Sequence, residues 1–317
     1  MPLDPRVKRF LDTLAAMNPS SALTLSVAQR RRSLQDLMAL AGRPLPVEHV
    51  DERQLPGSEA DLRVRVYTPP GASSATLPGL LYFHGGGLVA GDLDTHDGIA
   101  RELCRAGECR VVSVDYRLAP EARFPAAVED AEAATGWLLD HAPEVGVDPA
   151  RIGICGDSAG GTLATVVCQR AAARGDARVR FQLLLCPILD YGATTPSRRE
   201  FARGYFVDED TLAHDLRHYL GANADASDPR VSPLRAAQLM GLPPTAIHSA
   251  ECDPLRDEAQ AYAERLRAAG VPTTYDCHSG MIHLFYGMGR LLPHVTAAFD
   301  LIGTQIRSGL AAQGSSS

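Results

Sequence analysis

The sequence contains no long apolar segment. No run approaches the ~18 consecutive apolar residues that a membrane-spanning helix requires. Residues 1–4 (Met-Pro-Leu-Asp) have neither the basic start nor the following apolar stretch of a secretion signal. We therefore expect no membrane span and a location in the cytoplasm.

Paired cysteines are also missing. The seven cysteines are odd in number and scattered, and none forms a Cys-x-x-Cys pair. This pattern is typical of free thiols in a reducing compartment, which again favours the cytoplasm.

The sequence has no excess of positive charge. It contains 31 lysines and arginines against 38 aspartates and glutamates, a net charge of −7, which disfavours a nucleic-acid partner. The one basic cluster is Arg30, Arg31 and Arg32, and we interpret it as the solvated face of a helix.

The 317 residues are compatible with one catalytic domain that buries a large core. From about residue 47 onward, strand-like and helix-like segments alternate, which predicts an α/β fold with a mostly parallel sheet. Two segments depart from this rhythm. Residues 5–42 have the apolar spacing of amphipathic helices, with a capping box at Ser26 and Gln29, and residues 190–242 contain a helix that we expect to end at Gly221.

The most informative motif is Gly-Asp-Ser-Ala-Gly at residues 156–160. An apolar strand over residues 151–155 precedes it, and a helix rich in small residues follows at 162–168. Small residues around Ser158 permit the sharp strand-to-helix turn that exposes a nucleophilic hydroxyl. Ser158 is the predicted nucleophile.

A second motif, His-Gly-Gly-Gly at residues 84–87, follows the apolar strand at 80–83. Glycines there leave backbone N–H groups free to stabilise an oxyanion, and the predicted donors are Gly85, Gly86 and Ala159. An ordinary tight turn is the simpler interpretation. A dinucleotide-binding loop fits poorly, because its third small residue would be Ala90 and three nearby aspartates would repel a pyrophosphate.

An acidic candidate, Asp253, follows the apolar run at residues 245–249. A carboxylate fixed at a strand end can orient an imidazole, and Pro254 suits the first turn of the next helix. Asp257 and Glu258 are more simply explained as first-turn residues at the helix N-terminus. Asp253 itself could also be a capping residue, or serve both roles.

The candidate base is His283, which lies among apolar residues beyond the strand-like segment at 273–277. His278 is the nearest competitor but falls inside or at the tip of that strand, and we assign His248 and His84 structural roles. The order Ser158, Asp253, His283 is the order that α/β-hydrolases use.

With these residues assembled, the chain resembles the bacterial hormone-sensitive-lipase-like family of carboxylesterases, in the branch with Gly-Asp-Ser-Ala-Gly. The match extends from about residue 80 to the end. It comprises residues 84–87, 91–97, 115–121, 124–127, 156–160 and 253–258, with His283 before Phe285. Cys252 and Leu284 depart from the family pattern and are expected to affect only the pocket wall.

The resemblance implies an α/β-hydrolase core with a helical cap, no cofactor, no metal ligands, and hydrolysis of esters of short to medium acyl chains through an acyl-enzyme. We expect N-terminal helices of the cap at 1–45, core at 46–189, a cap insertion at 190–242 and core again at 243–317.

Other functions stay open at this stage. They are hydrolysis of amides, carbamates or lactones, a non-catalytic small-molecule receptor on the same scaffold, and, more distantly, a nicotinamide-dependent oxidoreductase. An exposed final strand would permit a homodimer, although nothing in its sequence requires one.

Overall fold

The computed structural model describes residues 3–17, 21–72, 76–221, 225–289 and 291–312, and these form one eight-stranded sheet flanked by helices. The strands, in chain order, are β1 (His49–Leu55), β2 (Leu62–Thr68), β3 (Leu77–Phe83), β4 (Arg110–Val114), β5 (Val147–Asp157), β6 (Val179–Leu185), β7 (Thr245–Cys252) and β8 (Thr273–Ile282). Their spatial order is β1-β2-β4-β3-β5-β6-β7-β8. The sheet is parallel except for β2, which runs antiparallel to both β1 and β4.

The α-helices of the described residues are α1 (Pro5–Met17), α2 (Val27–Ala39), α3 (Asp97–Gly107), α4 (Ala126–His141), α5 (Ala159–Ala173), α6 (Pro196–Glu200), α7 (Glu209–Leu220), α8 (Arg256–Ala268) and α9 (His294–Gly309). None of them is both long and apolar enough to cross a membrane.

Two apolar cores lie on opposite faces of the sheet. Successive residues of a strand point to opposite faces, so a strand that is apolar throughout supplies both cores. In β3, Leu81 and Phe83 join the core that contains α4, α5 and α8, whereas Leu80 and Tyr82 join the core that contains α3 and α9. The predicted mostly parallel α/β sheet is confirmed.

The alternation of Leu62, Val64 and Val66 with Arg63 and Arg65 is typical of an edge or outer strand, and this segment is the second strand from one edge of the sheet. That segment forms β2, which has a partner on each side, and the edge position belongs to β1. The sequence of β1 (His-Val-Asp-Glu-Arg-Gln-Leu) is polar on both faces. Because β1 has few apolar residues, its sequence lacks the apolar pattern of a strand, and sequence alone does not identify it as the edge strand.

The helices predicted outside the βα rhythm are confirmed. Ser26 caps α2 through Gln29, with both hydrogen bonds of the capping box present. Helix α7 ends at Gly221, whose φ of 66° lies in the left-handed region.

Candidate active site

Ser158 lies at the turn between β5 and α5. Its φ of 52° and ψ of −120° are a strained backbone conformation for a residue other than glycine, of the kind that accumulates at functional sites. The turn leaves no room for larger neighbours, since a Cβ on Gly156 would lie 2.1 Å from the carbonyl oxygen of Gly160. A Cβ on Gly160 would lie 2.0 Å from that of Phe83.

Three side chains remote in sequence form an unbroken hydrogen-bond chain. His283 Nε2 lies 2.9 Å from Ser158 Oγ, and His283 Nδ1 lies 2.8 Å from Asp253 Oδ2. All three side chains are buried, with Ser158 the most accessible at 8 %. The geometry places an acceptor next to the serine hydroxyl and a fixed carboxylate behind the imidazole.

Asp253 follows the last residue of β7, as the sequence predicts. Its Oδ1 accepts a hydrogen bond from Leu255 N at 2.9 Å, while its Oδ2 faces His283. The side chain therefore contacts the imidazole and caps the turn at the same time. Pro254 lies ahead of the helix rather than in its first turn, because α8 begins at Arg256.

Glu258 does more than complement the N-terminus of α8. Its side chain is fully buried, accepts a hydrogen bond from Leu189 N at 2.8 Å and pairs with Arg198 at 2.9 Å. Burial raises the pKa of this carboxyl, and Arg198 opposes the rise. Glu258 thus ties α8 to α6 and to the segment that follows β6.

The structure corrects one predicted oxyanion donor, Gly85, in the glycine loop formed by residues 85–87. Gly85 N donates to Asp157 Oδ1 at 2.9 Å, so this amide is already occupied. Gly86 and Gly87, with φ of 113° and 69°, face the cavity above Ser158. Among the described residues, neither of their amides has an acceptor.

Asp157 is a residue whose contribution the motif alone does not reveal. Its Oδ1 also accepts the Tyr82 hydroxyl at 2.6 Å, and its Oδ2 lies 3.7 Å from His96 Nε2. Burial raises the pKa of the Asp157 carboxyl and lowers the pKa of His96 to about 4. Asp157 therefore contacts β3 through Tyr82, the glycine loop through Gly85 and the segment before α3 through His96.

The other candidate histidines have structural contacts, as predicted. His278 lies within β8 between His248 at 3.0 Å and His294 at 2.9 Å, and burial lowers its pKa to about 3. His84 packs on the ring of Tyr116, its Nδ1 lies 2.8 Å from Gly85 O, and burial lowers its pKa to about 4. Among the described histidines, only His283 lies within hydrogen-bond distance of Ser158 Oγ.

A cavity of about 320 Å³ opens above Ser158 and His283. Its walls are mainly apolar and come from α1, α2, the segment before α7, and α7 itself. The apolar lining includes Leu11, Leu14, Leu34, Leu37, Phe206 and Leu212. Leu284, one of the two departures from the family pattern, also lines it, at a φ of 59°.

The arginine cluster does not form one solvated face, contrary to the sequence-based interpretation. Arg32 is 73 % exposed and pairs with Asp36. Arg30 is only 14 % exposed, pairs with Asp215 and lines the cavity. Arg31 donates to Val89 O at 2.9 Å and also pairs with Glu121. Two of the three arginines thus fasten α2 to the rest of the chain.

One set of three metal-type ligand atoms lies close together within the described residues. It comprises Cys186, Asp253 and His283, with the atoms within 4.8 Å of one another. The contact between Asp253 and His283 already accounts for two of its members.

Comparison with known proteins points in one direction. A family model described as alpha/beta hydrolase fold matches residues 80–287. The chain is 39 % identical over 306 residues to esterase LipI of Mycobacterium tuberculosis, covering 93 % of this chain and 95 % of that one. It is 35 % identical over 300 residues to ethyl acetate hydrolase of Pseudomonas putida, covering 92 % and 94 %. The solved structure of the ester hydrolase EH1AB1 from a Lake Arreo metagenome superposes with a TM-score of 0.94 at 37 % identity, covering 98 % of this chain and 100 % of that one.

Proposed function

The chain belongs to the hormone-sensitive-lipase-like family of α/β-hydrolases and is a carboxylic-ester hydrolase, and from this premise we propose that it cleaves short- to medium-chain esters at Ser158. The observation that carries the proposal is the continuous hydrogen-bond chain from Ser158 Oγ through His283 to Asp253.

In the proposed reaction, Ser158 Oγ attacks the ester carbonyl carbon while its proton passes to His283 Nε2. The tetrahedral intermediate collapses, the C–O bond to the alcohol breaks, and His283 returns the proton to the departing alcohol. Water then attacks the acyl-enzyme by the same route and releases the acid. Asp253 stays ionised, holds the imidazole in one tautomer and stabilises the imidazolium.

Three backbone amides are the proposed oxyanion donors, those of Gly86, Gly87 and Ala159. The two glycines face the cavity, and their N–H groups have no acceptor in the part of the chain that the structure describes. Ala159 is the first residue of α5, where amides lack partners within the helix. Loss of one such donor typically costs ~3 kcal/mol of transition-state stabilisation.

Residues 1–45 and 190–242 form the proposed cap over a core made of 46–189 and 243–317. Support comes from the cavity walls, to which α1, α2 and α7 contribute side chains while Ser158 and His283 belong to the core. A cavity of about 320 Å³ is near the small end of the range for ligand sites, which favours short and medium acyl groups.

A chain-length series of p-nitrophenyl esters tests this function. We expect the highest kcat/KM at short to medium acyl length, and loss of turnover in Ser158→Ala. A fluorophosphonate should add its mass to Ser158. The matched control is Ser308→Ala, which changes an exposed serine of α9 outside the cavity and should keep both ester turnover and the adduct. A folded protein with no adduct would favour a ligand-binding receptor, and a series inert as esters but turned over as amides or lactones would redefine the scissile bond.

The cytoplasm is the proposed compartment, and a homodimer through the edge strand β8 is the proposed assembly. Support for the first is that the seven cysteines are free thiols and six are buried. For the second, β8 occupies one edge of the sheet, although Asp4 N already binds Gly280 O there. Subcellular fractionation and light scattering after gel filtration test the two separately.

A further inference from the structure

A buried ion pair interrupts the apolar wall of the cavity. Arg30 of α2 places Nη2 2.9 Å from Asp215 Oδ2 and Nε 3.3 Å from Asp215 Oδ1, a two-point contact. The side chains are only 14 % and 5 % exposed, and both line the cavity.

The carboxylate of this pair rests on the glycine loop. A methyl group placed on Gly87 would lie 2.0 Å from Asp215 Oδ2 and 2.5 Å from its Cγ, so the Asp215 side chain touches the Gly87 backbone directly. Gly87 is one of the proposed oxyanion donors. A formal negative charge therefore adjoins the amides that must stabilise another negative charge.

Electrostatics makes such a neighbour unfavourable unless it is neutralised. Like charges repel strongly in a buried, poorly screened site, and the repulsion grows as the ester oxygen gains charge in the transition state. Within the described residues, the other hydrogen-bond partner of Asp215 is His214, whose Nδ1 lies 2.9 Å from Oδ1 and whose Nε2 lies 3.2 Å from Leu25 O. Arg30 supplies the permanent positive charge, since a guanidinium does not lose its proton in proteins.

We infer that Arg30 is a positioning residue for ester cleavage: it fixes and neutralises Asp215, so that the Gly86 and Gly87 amides act on the oxyanion without an opposing charge. The inference rests on the proposed acyl-transfer function. The simpler alternative is that the pair only fastens α2 to α7, in which case its loss changes stability and substrate binding but not transition-state stabilisation.

Four variants separate these two roles. Arg30→Met should lower kcat about tenfold or more, because it leaves Asp215 charged against the loop. Arg30→Lys keeps the charge but not the two-point contact and should lose about threefold. Asp215→Asn should stay within about threefold of the parent, and Arg30→Met combined with Asp215→Asn should recover to the level of Asp215→Asn alone.

A readout that a fastening role would not move is the affinity for an oxyanion-forming inhibitor. A trifluoromethyl ketone adds to the serine and places its oxyanion where that of the transition state lies. Its Ki should rise in Arg30→Met by the same factor by which kcat/KM falls, with KM nearly unchanged. Arg32→Met removes an exposed arginine from the same helix and should change none of these values.

All variants are assayed well below their own melting temperatures, which circular dichroism provides. Equal losses in Arg30→Met and the double variant, or a fall in melting temperature with unchanged Ki, would overturn the inference and leave a fastening pair. If Ser158→Ala keeps full turnover, the proposed function fails first, independently of the Arg30 series.

Discussion

Asp157 Oδ1 accepts the amide of Gly85 at 2.9 Å, so the residue before the proposed nucleophile holds the loop that faces it. The same oxygen accepts the Tyr82 hydroxyl at 2.6 Å. Strand β5 thus delivers the hydroxyl and, one residue earlier, fixes the glycine loop after β3.

Substitution of Asp157 by alanine should weaken both folding and turnover. It would leave two buried donors unpaired, Gly85 N and the Tyr82 hydroxyl, at ~1–3 kcal/mol each, and would release the glycine loop. Asp157→Asn is the matched control, because its carbonyl oxygen can still accept both donors while the buried charge is gone. Urea denaturation and kcat of the two variants test this, and equal stability of Asp157→Ala and the parent would contradict it.

The free energy of unfolding should decrease as pH falls from about 6.5 to about 4. Burial lowers the pKa of His84 and of His96 to about 4 in the folded chain, so the unfolded chain binds protons first as pH falls. Their contribution to stability is complete above the unfolded pKa and is lost through this window. Urea midpoints measured across the window should fall less steeply in His96→Gln than in the parent, and parallel curves would exclude His96 as a contributor.

Alanine should have opposite effects at two glycines. Gly87→Ala places its methyl group 2.0 Å from Asp215 Oδ2 at a φ of 69°, so we expect lower stability and at least a tenfold loss of kcat/KM, as for a displaced oxyanion donor. At Gly136, inside α4, an added methyl group would meet no atom within 4 Å, and the φ is not positive. Gly136→Ala should stabilise by ~0.5–1 kcal/mol with unchanged turnover. Thermal melts and esterase assays check both, and an active, stable Gly87→Ala would show that the loop can shift.

Arg198→Met should destabilise the chain by ~3–5 kcal/mol, because it leaves the Glu258 carboxylate buried without its cation. Burial already raises the pKa of Glu258, and removal of Arg198 raises it further. The loss should therefore shrink as pH falls and the carboxyl takes up a proton. Arg198→Met with Glu258→Gln should recover most of the stability, and urea titrations at pH 5 and pH 8 distinguish this from a loss independent of pH.

Sequence reasoning succeeds where the position of a side chain depends on local chain geometry. Ser158, Asp253 and His283 each lie at or just beyond the end of a strand, and apolar runs followed by small or polar residues mark such ends. Parallel strands bring their carboxyl ends to one edge of the sheet, so chain order and strand ends are enough to suggest that the three meet. The strand order itself, with β4 between β2 and β3, has no comparable local signal.

Sequence reasoning falls short where the direction of a side chain depends on contacts with residues distant in the chain. The sequence pattern places Arg30 in solvent, yet it meets Asp215, 185 residues away. The glycine motif predicts a free amide at Gly85, but Asp157 takes it, which depends on how the strands β3 and β5 align. Glu258 fits a first-turn pattern, and its burial follows from the position of α6 rather than from its own neighbours in sequence.

The cavity walls and the reacting groups occupy separate stretches of the polypeptide. Most of the apolar lining lies in residues 11–37 and 206–212, and the proposed nucleophile and base lie on the sheet side. Substitutions in the lining can therefore change which substrates the cavity accepts without moving the proposed nucleophile and base. Related chains can differ in substrate preference through their first forty residues while they keep the same reacting groups. The ion pair between Arg30 and Asp215 is the exception, because Arg30 lines the cavity and, by the inference above, also acts on the glycine loop.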